Sequence, residues 1–210
     1  MAVIGRNRAF VLGALFLAGT AASTSAQDAK VASSDLDKVA GRYDYRRAIL
    51  TVTREGDGLF AQMTGQPKFE IVPKGGLTFA WTVTEAEITF VKDDKGAVTK
   101  AVHKQGGRTI EAPKLGDAPK AAAVDPKAFD AVLGRYDYGN GLILTVTREG
   151  DRLFGQATNQ PKFEMFPASE TEYFWTAVNA QLKLTKDASG KVTGGVHTQS
   201  GQTVEVRKIE

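Results

Sequence analysis

The sequence predicts an all-β protein made of two tandem antiparallel barrels, each with about eight short strands and each preceded by a short helix. Two observations lead to this fold class. The 210-residue chain repeats itself once over most of its length. Each copy is a series of short segments in which apolar and polar residues alternate, separated by turn residues, as in half-buried strands.

The repeat begins with a long, well-matched stretch. GRYDYRRAILTVTREGDGLFAQMTGQPKFE in the first copy returns as GRYDYGNGLILTVTREGDRLFGQATNQPKFE in the second. Further on, Trp81 corresponds to Trp175 and His103 to His197, and one extra residue within Gly139–Gly141 is the only change of register. A period this long indicates two domains and not a solenoid of short units.

The domain boundaries follow from composition. We expect a first barrel domain over residues 33–114, a linker over residues 115–124 and a second barrel domain over residues 125–210. The linker reads LGDAPKAAAV, which is rich in alanine and contains proline. It lacks the alternation of a strand and is therefore predicted to be irregular.

A short helical signal opens each copy. In DPKAFDAVLG, Asp125 is expected at the N-cap, Pro126 at the first helical position and Gly134 as terminator. In SSDLDKVAG, the corresponding cap is Ser34 and the stop is Gly41.

Eight alternating runs follow in the first copy and recur in the second: GRYDY, AILTVTR, GLFAQMT, KFEIVP, LTFAWTV, AEITFVK, VTKAVHK and RTIEAPK. Closing such a meander removes both sheet edges, and eight strands enclose only enough space for side chains or one small ligand. We expect the following bulky residues to fill the first barrel: Leu50, Val52, Leu59, Phe69, Ile71, Trp81, Ile88, Phe90, Val98 and Val102.

The repeated TREGD segments, which start at Thr53 and Thr147, are predicted to be hairpin corners. Gly56 lies where the chain must reverse and can adopt a positive φ, and Asp57 is a favoured neighbour in a turn. The motif is therefore interpreted as scaffold and not as an active site.

Residues 1–26 are predicted to be a secretory signal peptide. Arg6 and Arg8 precede an apolar run over residues 9–19, and small residues lead to an expected cleavage between Ala26 and Gln27. The apolar run is shorter than the roughly 20 residues that cross a bilayer. We therefore expect a periplasmic or secreted protein with no membrane span in the mature chain.

The charge balance argues against a nucleic-acid partner. Of the 27 Lys and Arg residues, two lie in the predicted signal peptide, which leaves 25 against 24 acidic residues. No basic stripe of the kind that tracks a phosphate backbone is visible. Cysteine is absent, so the exported domains must rely on their apolar cores.

The order GRYDY, LTVTREGD, LFxQxTxQPKFE and VxxxVHxQxG resembles one domain family. It is the lipocalin-like C-terminal domain of unknown function that follows serine peptidases of the class C β-lactamase and penicillin-binding-protein type. The resemblance covers residues 39–114 and 133–209. It implies an eight-stranded barrel of lipocalin type, and in such proteins the catalytic serine belongs to a separate domain that these 210 residues do not contain.

No catalytic, cofactor or metal site is expected from the motifs. No serine has a lysine three residues later, as penicillin-recognising hydrolases require, and Tyr138-Gly139-Asn140 is an isolated match to their Tyr-x-Asn triplet. The only histidines, His103 and His197, fall in different domains, and one imidazole per domain without a cysteine is a poor zinc site. We therefore expect the protein not to be an enzyme.

The best candidate for a recognition surface is an outer patch that recurs in both copies. In LFAQMT, Phe60 and Gln62 share the face opposite Leu59, and His103 is expected to face solvent because it alternates with Val102. The candidate partner-binding residues are Phe60, Gln62, Gln66, Lys68, His103, Gln105, Phe154, Gln156, Gln160, Lys162, His197 and Gln199.

These observations predict an exported, non-catalytic binding or accessory module, with a serine hydrolase, another protein or a cell-envelope component as partner. The alternative is a carrier that holds a small apolar ligand inside its barrels. An open cavity lined by polar groups in either barrel would discriminate between the two.

Overall fold

A computed structural model describes residues 31–210; the predicted signal peptide lies outside the described residues. These residues form two closed barrels, each of eight antiparallel strands connected in sequence order. The predicted fold class is confirmed. None of the helices in residues 31–210 is long and apolar enough to cross a membrane.

The first barrel follows helix α1, Ser33–Val39, which buries Leu36 and Val39. Ala32, not Ser34, occupies the N-cap position and no side chain caps the helix, so the predicted cap was wrong. The helix begins two residues earlier than expected. The strands are β1 Gly41–Asp44, β2 Ile49–Glu55, β3 Gly58–Met63, β4 Lys68–Gly75, β5 Thr78–Trp81, β6 Ala86–Lys92, β7 Val98–Gln105 and β8 Arg108–Leu115.

The second barrel is preceded by a 3₁₀ helix, Pro126–Ala131. The Asp125 side chain caps this helix by accepting a hydrogen bond of 2.9 Å from the Lys127 backbone N–H, as the sequence predicts. The strands are β9 Gly134–Asp137, β10 Ile143–Glu149, β11 Arg152–Ala157, β12 Phe163–Pro167, β13 Glu172–Trp175, β14 Ala180–Lys186, β15 Val192–Gln199 and β16 Gln202–Lys208.

The TREGD motif forms the corner between β2 and β3, with Gly56 at φ +62°. Its arginine also connects this corner to helix α1. Arg54 donates to the Gly56 carbonyl at 2.7 Å and to the Asp37 carboxylate at 2.7 Å. Arg148 makes the same two kinds of contact in the second copy, so the repeated motif joins each hairpin to the helix before it.

One bulge changes which residues face the inside of the first barrel. Lys92 pairs with Val98 and Val91 with Lys100, so Thr99 is an extra residue in β7. An extra residue reverses the alternation beyond it. Val98 faces inward as expected, but beyond the bulge Ala101 and His103 point inward and Val102 outward. The predicted inward position of Val102 was therefore wrong.

The same bulge recurs in β15. Lys186 pairs with Val192 and Thr185 with Gly194, so Thr193 is the extra residue. His197 consequently faces inward as His103 does. The duplicated histidines are thus placed by a duplicated backbone irregularity.

The two barrels contact each other through polar groups. Asp44, only 6% exposed, accepts hydrogen bonds from Asn179 Nδ2 at 2.9 Å and Ser200 Oγ at 3.1 Å. The Thr64 hydroxyl donates to the Ala177 carbonyl at 2.6 Å. A buried carboxylate is costly unless its oxygens are hydrogen-bonded, so these contacts specify how the end of β1 meets the second barrel.

Candidate functional site: the mouth of the second barrel

Phe60 and Phe154 of the predicted patch lie on the outer walls of their barrels, but their rings are covered. The ammonium group of Lys68 lies 5.1 Å from the centre of the Phe60 ring. Phe154 is only 9% exposed, because Arg152 and Lys162 both lie 5.0 Å from its ring centre. The predicted face was correct, but the rings are not the free aromatic surface that we expected.

The polar members of the patch contact groups within their own hairpins. Gln62 donates from Nε2 to the Gln66 carbonyl at 3.1 Å, and Gln156 makes the same bond to Gln160. In addition, Lys68 pairs with Glu55 and Lys162 with Glu149. Internal hydrogen bonds and ion pairs thus account for these recurring residues.

The two histidines lie inside the barrels near one end. His103 is opposite Ile88 and His197 is opposite Leu182, both fully buried inner-face residues. The expectation that the histidines face solvent was wrong because the bulge reverses the alternation. Burial lowers the pKa of both imidazoles, that of His197 to about 4, so both are neutral at neutral pH.

We call this end of each barrel its mouth. At the mouth of the first barrel, the inner positions are packed with side chains. The indole of Trp81 stacks on the imidazole of His103, with ring centres 4.8 Å apart and planes at 29°. The Tyr45 hydroxyl is 3.2 Å from His103 Nδ1, and Met63 packs against the same core. A depression of about 410 Å³ remains at the rim, lined by His103, Gln105, Gly106, Arg108 and Ile110, and it does not reach Ala61 or Met63 on the inner face.

The mouth of the second barrel differs at two inner-face positions. Gly155 stands where the first copy has Ala61, and Ala157 where it has Met63. A Cβ atom at Gly155 would lie 2.8 Å from Cζ2 of Trp175 and 3.0 Å from Sδ of Met165. The missing methyl group therefore allows the indole to lie directly against strand β11, where it is 5% exposed.

In this position Trp175 does not stack on His197 as Trp81 stacks on His103. Its ring centre lies 5.6 Å from that of His197, with the planes at 88°. Together with the small side chain of Ala157, this leaves a cavity of about 480 Å³ at the mouth. Pockets for small molecules commonly have volumes of roughly 300–1,000 Å³.

The cavity combines an apolar floor with a polar rim. Leu144, Phe163, Trp175 and Val178 line the floor. The rim includes Asn140, Gln160, Gln199 and Gln202 of the second barrel, and Arg46 and Arg47 of the first. Three of the predicted site residues therefore lie here, namely Gln160, His197 and Gln199.

Gln105, the counterpart of Gln199, lies at the rim of the first mouth, where its amide is 3.4 Å from the Thr84 hydroxyl.

The arrangement at the second mouth supplies apolar contact and hydrogen-bonding groups, as a binding site does. Within residues 31–210, no three His, Asp or Glu side chains come close enough together to hold a metal ion.

Sequence reasoning missed the two arginines and the contribution of Trp175. A signal was present in the differences between the copies, because Gly155, Ala157 and the Arg46-Arg47 pair all fall where the repeats diverge. The similarities between the copies identified the scaffold, whereas these differences identify the cavity.

Comparison with known proteins relates the second repeat to a described family. Residues 118–208 match the family described as Domain of unknown function (DUF3471). Penicillin-binding protein 4* of Bacillus subtilis (strain 168) is 30% identical to this chain over 90 residues. The aligned part is 42% of this chain and 20% of that protein, so the chain spans about a fifth of the relative's length. The chain is thus linked to a domain found in penicillin-binding-protein-like proteins.

Proposed function

We propose that this protein is an exported, non-catalytic binding module that acts with a serine hydrolase or a cell-envelope component, and that the second mouth is its binding site. One observation carries the proposal. Of two barrels built from the same repeat, the first has at its mouth only a depression that does not reach Ala61 or Met63, whereas the second has a cavity that reaches Gly155 and Ala157 and is lined by apolar and polar groups.

The comparisons support the accessory part of this proposal. The matched family is a domain of unknown function, and the similarity to penicillin-binding protein 4* covers only a fifth of that protein. Export is proposed from the signal-like residues 1–26, with a mature chain that starts at Gln27. The lipocalin type is proposed from the closed eight-stranded barrel together with a cavity at its mouth.

The second mouth is a better candidate for the binding site than the outer patch is. The rings of Phe60 and Phe154 are covered by cationic side chains. A ligand would first have to displace Lys68 or Lys162 from the existing ion pairs. The mouth, in contrast, already presents a concave surface.

The experiment is a titration with Nile red, a neutral dye whose fluorescence rises in apolar surroundings. The native protein should bind one equivalent. Ala157→Met introduces the residue that the first barrel has at this position, and it should weaken binding at least about tenfold, since a filled pocket loses the ligand's apolar contacts.

The matched control is Thr147→Met, which places the same side chain on an exposed position of the neighbouring strand β10, away from the cavity. It should bind Nile red as the native protein does. Equal binding by the Ala157→Met variant, or no binding by the native protein, would refute the mouth as the site.

A separate experiment tests the proposal that the protein is not a penicillin-recognising hydrolase. Incubation with benzylpenicillin should leave the intact mass unchanged, because no serine in the sequence carries a lysine three residues later. A mass increase equal to one penicilloyl group, located on a serine by peptide mapping, would contradict this part of the proposal.

A further inference from the structure

The second mouth is built by both barrels, and the first barrel contributes charge to it. Arg46 and Arg47 belong to the loop between β1 and β2 of the first barrel, yet both line the cavity of the second. The corresponding loop of the second copy reads Gly139-Asn140-Gly141 and contains no cation. This inference rests on the proposed binding site and concerns which ligand it takes.

The backbone of this loop is held in place by both barrels. The Arg46 N–H donates to Asp44 Oδ1 at 2.6 Å, and the Arg46 carbonyl accepts from Gln199 Nε2 of the second barrel at 2.8 Å. Asn179 and Ser200 of the second barrel also donate to Asp44. The position of the two arginines relative to the cavity is therefore specified by hydrogen bonds.

Arg46 has an unfavourable backbone conformation. Its φ is +67°, in the left-handed region, and the glycine at the same position of the second copy, Gly139, has φ +80°. Glycine would adopt this conformation without steric cost. Residues held in this conformation cluster at active sites and ligand-binding sites.

The arginines make the cavity positively charged. Within residues 31–210, the guanidinium group of neither Arg46 nor Arg47 has a carboxylate oxygen within 4 Å. Among the residues that the structure describes, no Asp or Glu lines the cavity. The nearby carboxylate of Asp44 is already engaged with the loop and with the second barrel. The rim therefore offers two exposed guanidinium groups above an apolar floor.

We propose that the second mouth binds a small molecule with an apolar body and a terminal carboxylate. The apolar body would contact Phe163, Trp175 and Val178, and the carboxylate would meet Arg46 and Arg47. A guanidinium group presents paired N–H donors that match the two oxygens of a carboxylate. Such a molecule complements both the charge and the apolar floor of the site.

The test compares pairs of ligands that differ only in charge, by competition with Nile red. The first pair is decanoate and decanol; the second is N-acetyl-leucyl-leucine and its C-terminal amide. In at least one pair the acid should bind about tenfold more tightly, as expected for charge-assisted hydrogen bonds. The pair that shows the preference tells whether the carboxylate belongs to an aliphatic chain or to a peptide end.

The double variant Arg46→Gln/Arg47→Gln should lose this preference and retain the affinity of the native protein for the neutral ligand. The matched control is Arg108→Gln, which removes a cation from the rim of the first mouth and should keep the preference. Raising the salt concentration to about 1 M should also reduce the preference, because the Debye length falls to about 3 Å.

The outcomes separate this inference from the proposed function. If acid and neutral ligands compete equally in both pairs, or if the preference survives in the double variant, the carboxylate assignment is wrong while the binding site stands. If no ligand of either pair binds and Nile red does not bind, the proposed site itself is wrong.

Discussion

The two barrel mouths contain the same three aromatic residue types and nevertheless have different shapes. Tyr45, Trp81 and His103 of the first barrel correspond to Tyr138, Trp175 and His197 of the second. In the first, the indole and imidazole stack; in the second, their planes are nearly perpendicular. The aromatic residues alone therefore do not determine whether a mouth is open.

Two differences in side-chain size beneath these rings determine whether the mouth contains a cavity. At Gly155 there is no methyl group beneath Trp175, whereas the methyl group of Ala61 occupies the corresponding place in the first barrel. Met63 then fills the remaining space that Ala157 leaves empty. One duplicated scaffold therefore provides a mouth whose inner positions are packed and a mouth with a cavity between its inner positions.

Truncating the tryptophans should reveal the largest difference between the barrels. Trp175→Ala should lower the free energy of unfolding by about 3–5 kcal/mol, as for a buried aromatic side chain. Trp81→Ala should cost less, about 1–3 kcal/mol, because the Trp81 indole is partly exposed at the rim. Urea denaturation followed by circular dichroism measures both. A larger loss for Trp81→Ala would reverse our assignment of the filled and the open mouth.

Exchanging the small residues at positions 155 and 61 tests the cause of the difference between the two mouths. Gly155→Ala should destabilise the protein by about 1–3 kcal/mol, because the new methyl group would crowd Trp175 and Met165. It should also shift Trp175 towards the mouth and weaken Nile red binding. The reciprocal variant, Ala61→Gly, creates no such crowding, and its Nile red binding at the second mouth should be unchanged. Crystal structures of the two variants would show the indole positions directly, and an unmoved Trp175 in Gly155→Ala would contradict the account.

Acidification should destabilise the second barrel more than the first. Burial lowers the pKa of His197 to about 4, from an ordinary 6.5. As the pH falls from 6.5 towards 4, the unfolded chain binds a proton that the folded chain does not, so stability is lost in this range. With allowance for partial exposure, we expect a loss on the order of 1–3 kcal/mol.

Hydrogen exchange of peptides from β7 and β15 resolves this loss for each barrel. His197→Gln should remove the additional pH dependence of the second barrel, whereas His103→Gln should leave it unchanged. The account would be contradicted if β15 exchanged with the same pH dependence in the native protein and in the His197→Gln variant.

Substitutions in the outer hairpins should have the smallest effect on stability, and the effect should be equal in the two barrels. Glu55 pairs with Lys68 and Glu149 with Lys162 at exposed positions. Glu55→Gln and Glu149→Gln should each change stability by less than about 1 kcal/mol, since exposed ion pairs contribute little. Thermal melts should give matching shifts, and neither variant should alter Nile red binding. A loss of binding in Glu149→Gln alone would mean that the outer wall takes part in recognition.

The fold was predictable because its signals are local. Alternation identified the strands, and the glycine of TREGD identified a corner that the structure shows between β2 and β3. The alternation failed at Thr99, because no residue there signals that one position will be left unpaired. The predicted inner position of Val102 and the predicted outer position of His103 were therefore both reversed.

The site was less predictable because it depends on contacts distant in sequence. The covering of Phe154 requires Lys162 on the neighbouring strand, and the charge of the second mouth comes from Arg46 in the other barrel. An alternation pattern describes one strand and does not specify which loop will reach a cavity. The differences between the repeats were visible in the sequence, but their effect required the positions of the rings.

The most direct test is to ask which tryptophan a bound ligand touches. Trp81→Phe leaves Trp175 as the only indole, and Trp175→Phe leaves Trp81. Each variant is titrated with a decanol that carries bromine at its far end, which quenches indole fluorescence on contact. Our account predicts saturable quenching of Trp175 and none of Trp81. Saturable quenching of Trp81 alone, or equal quenching of both, would contradict the claim that only the second mouth is open.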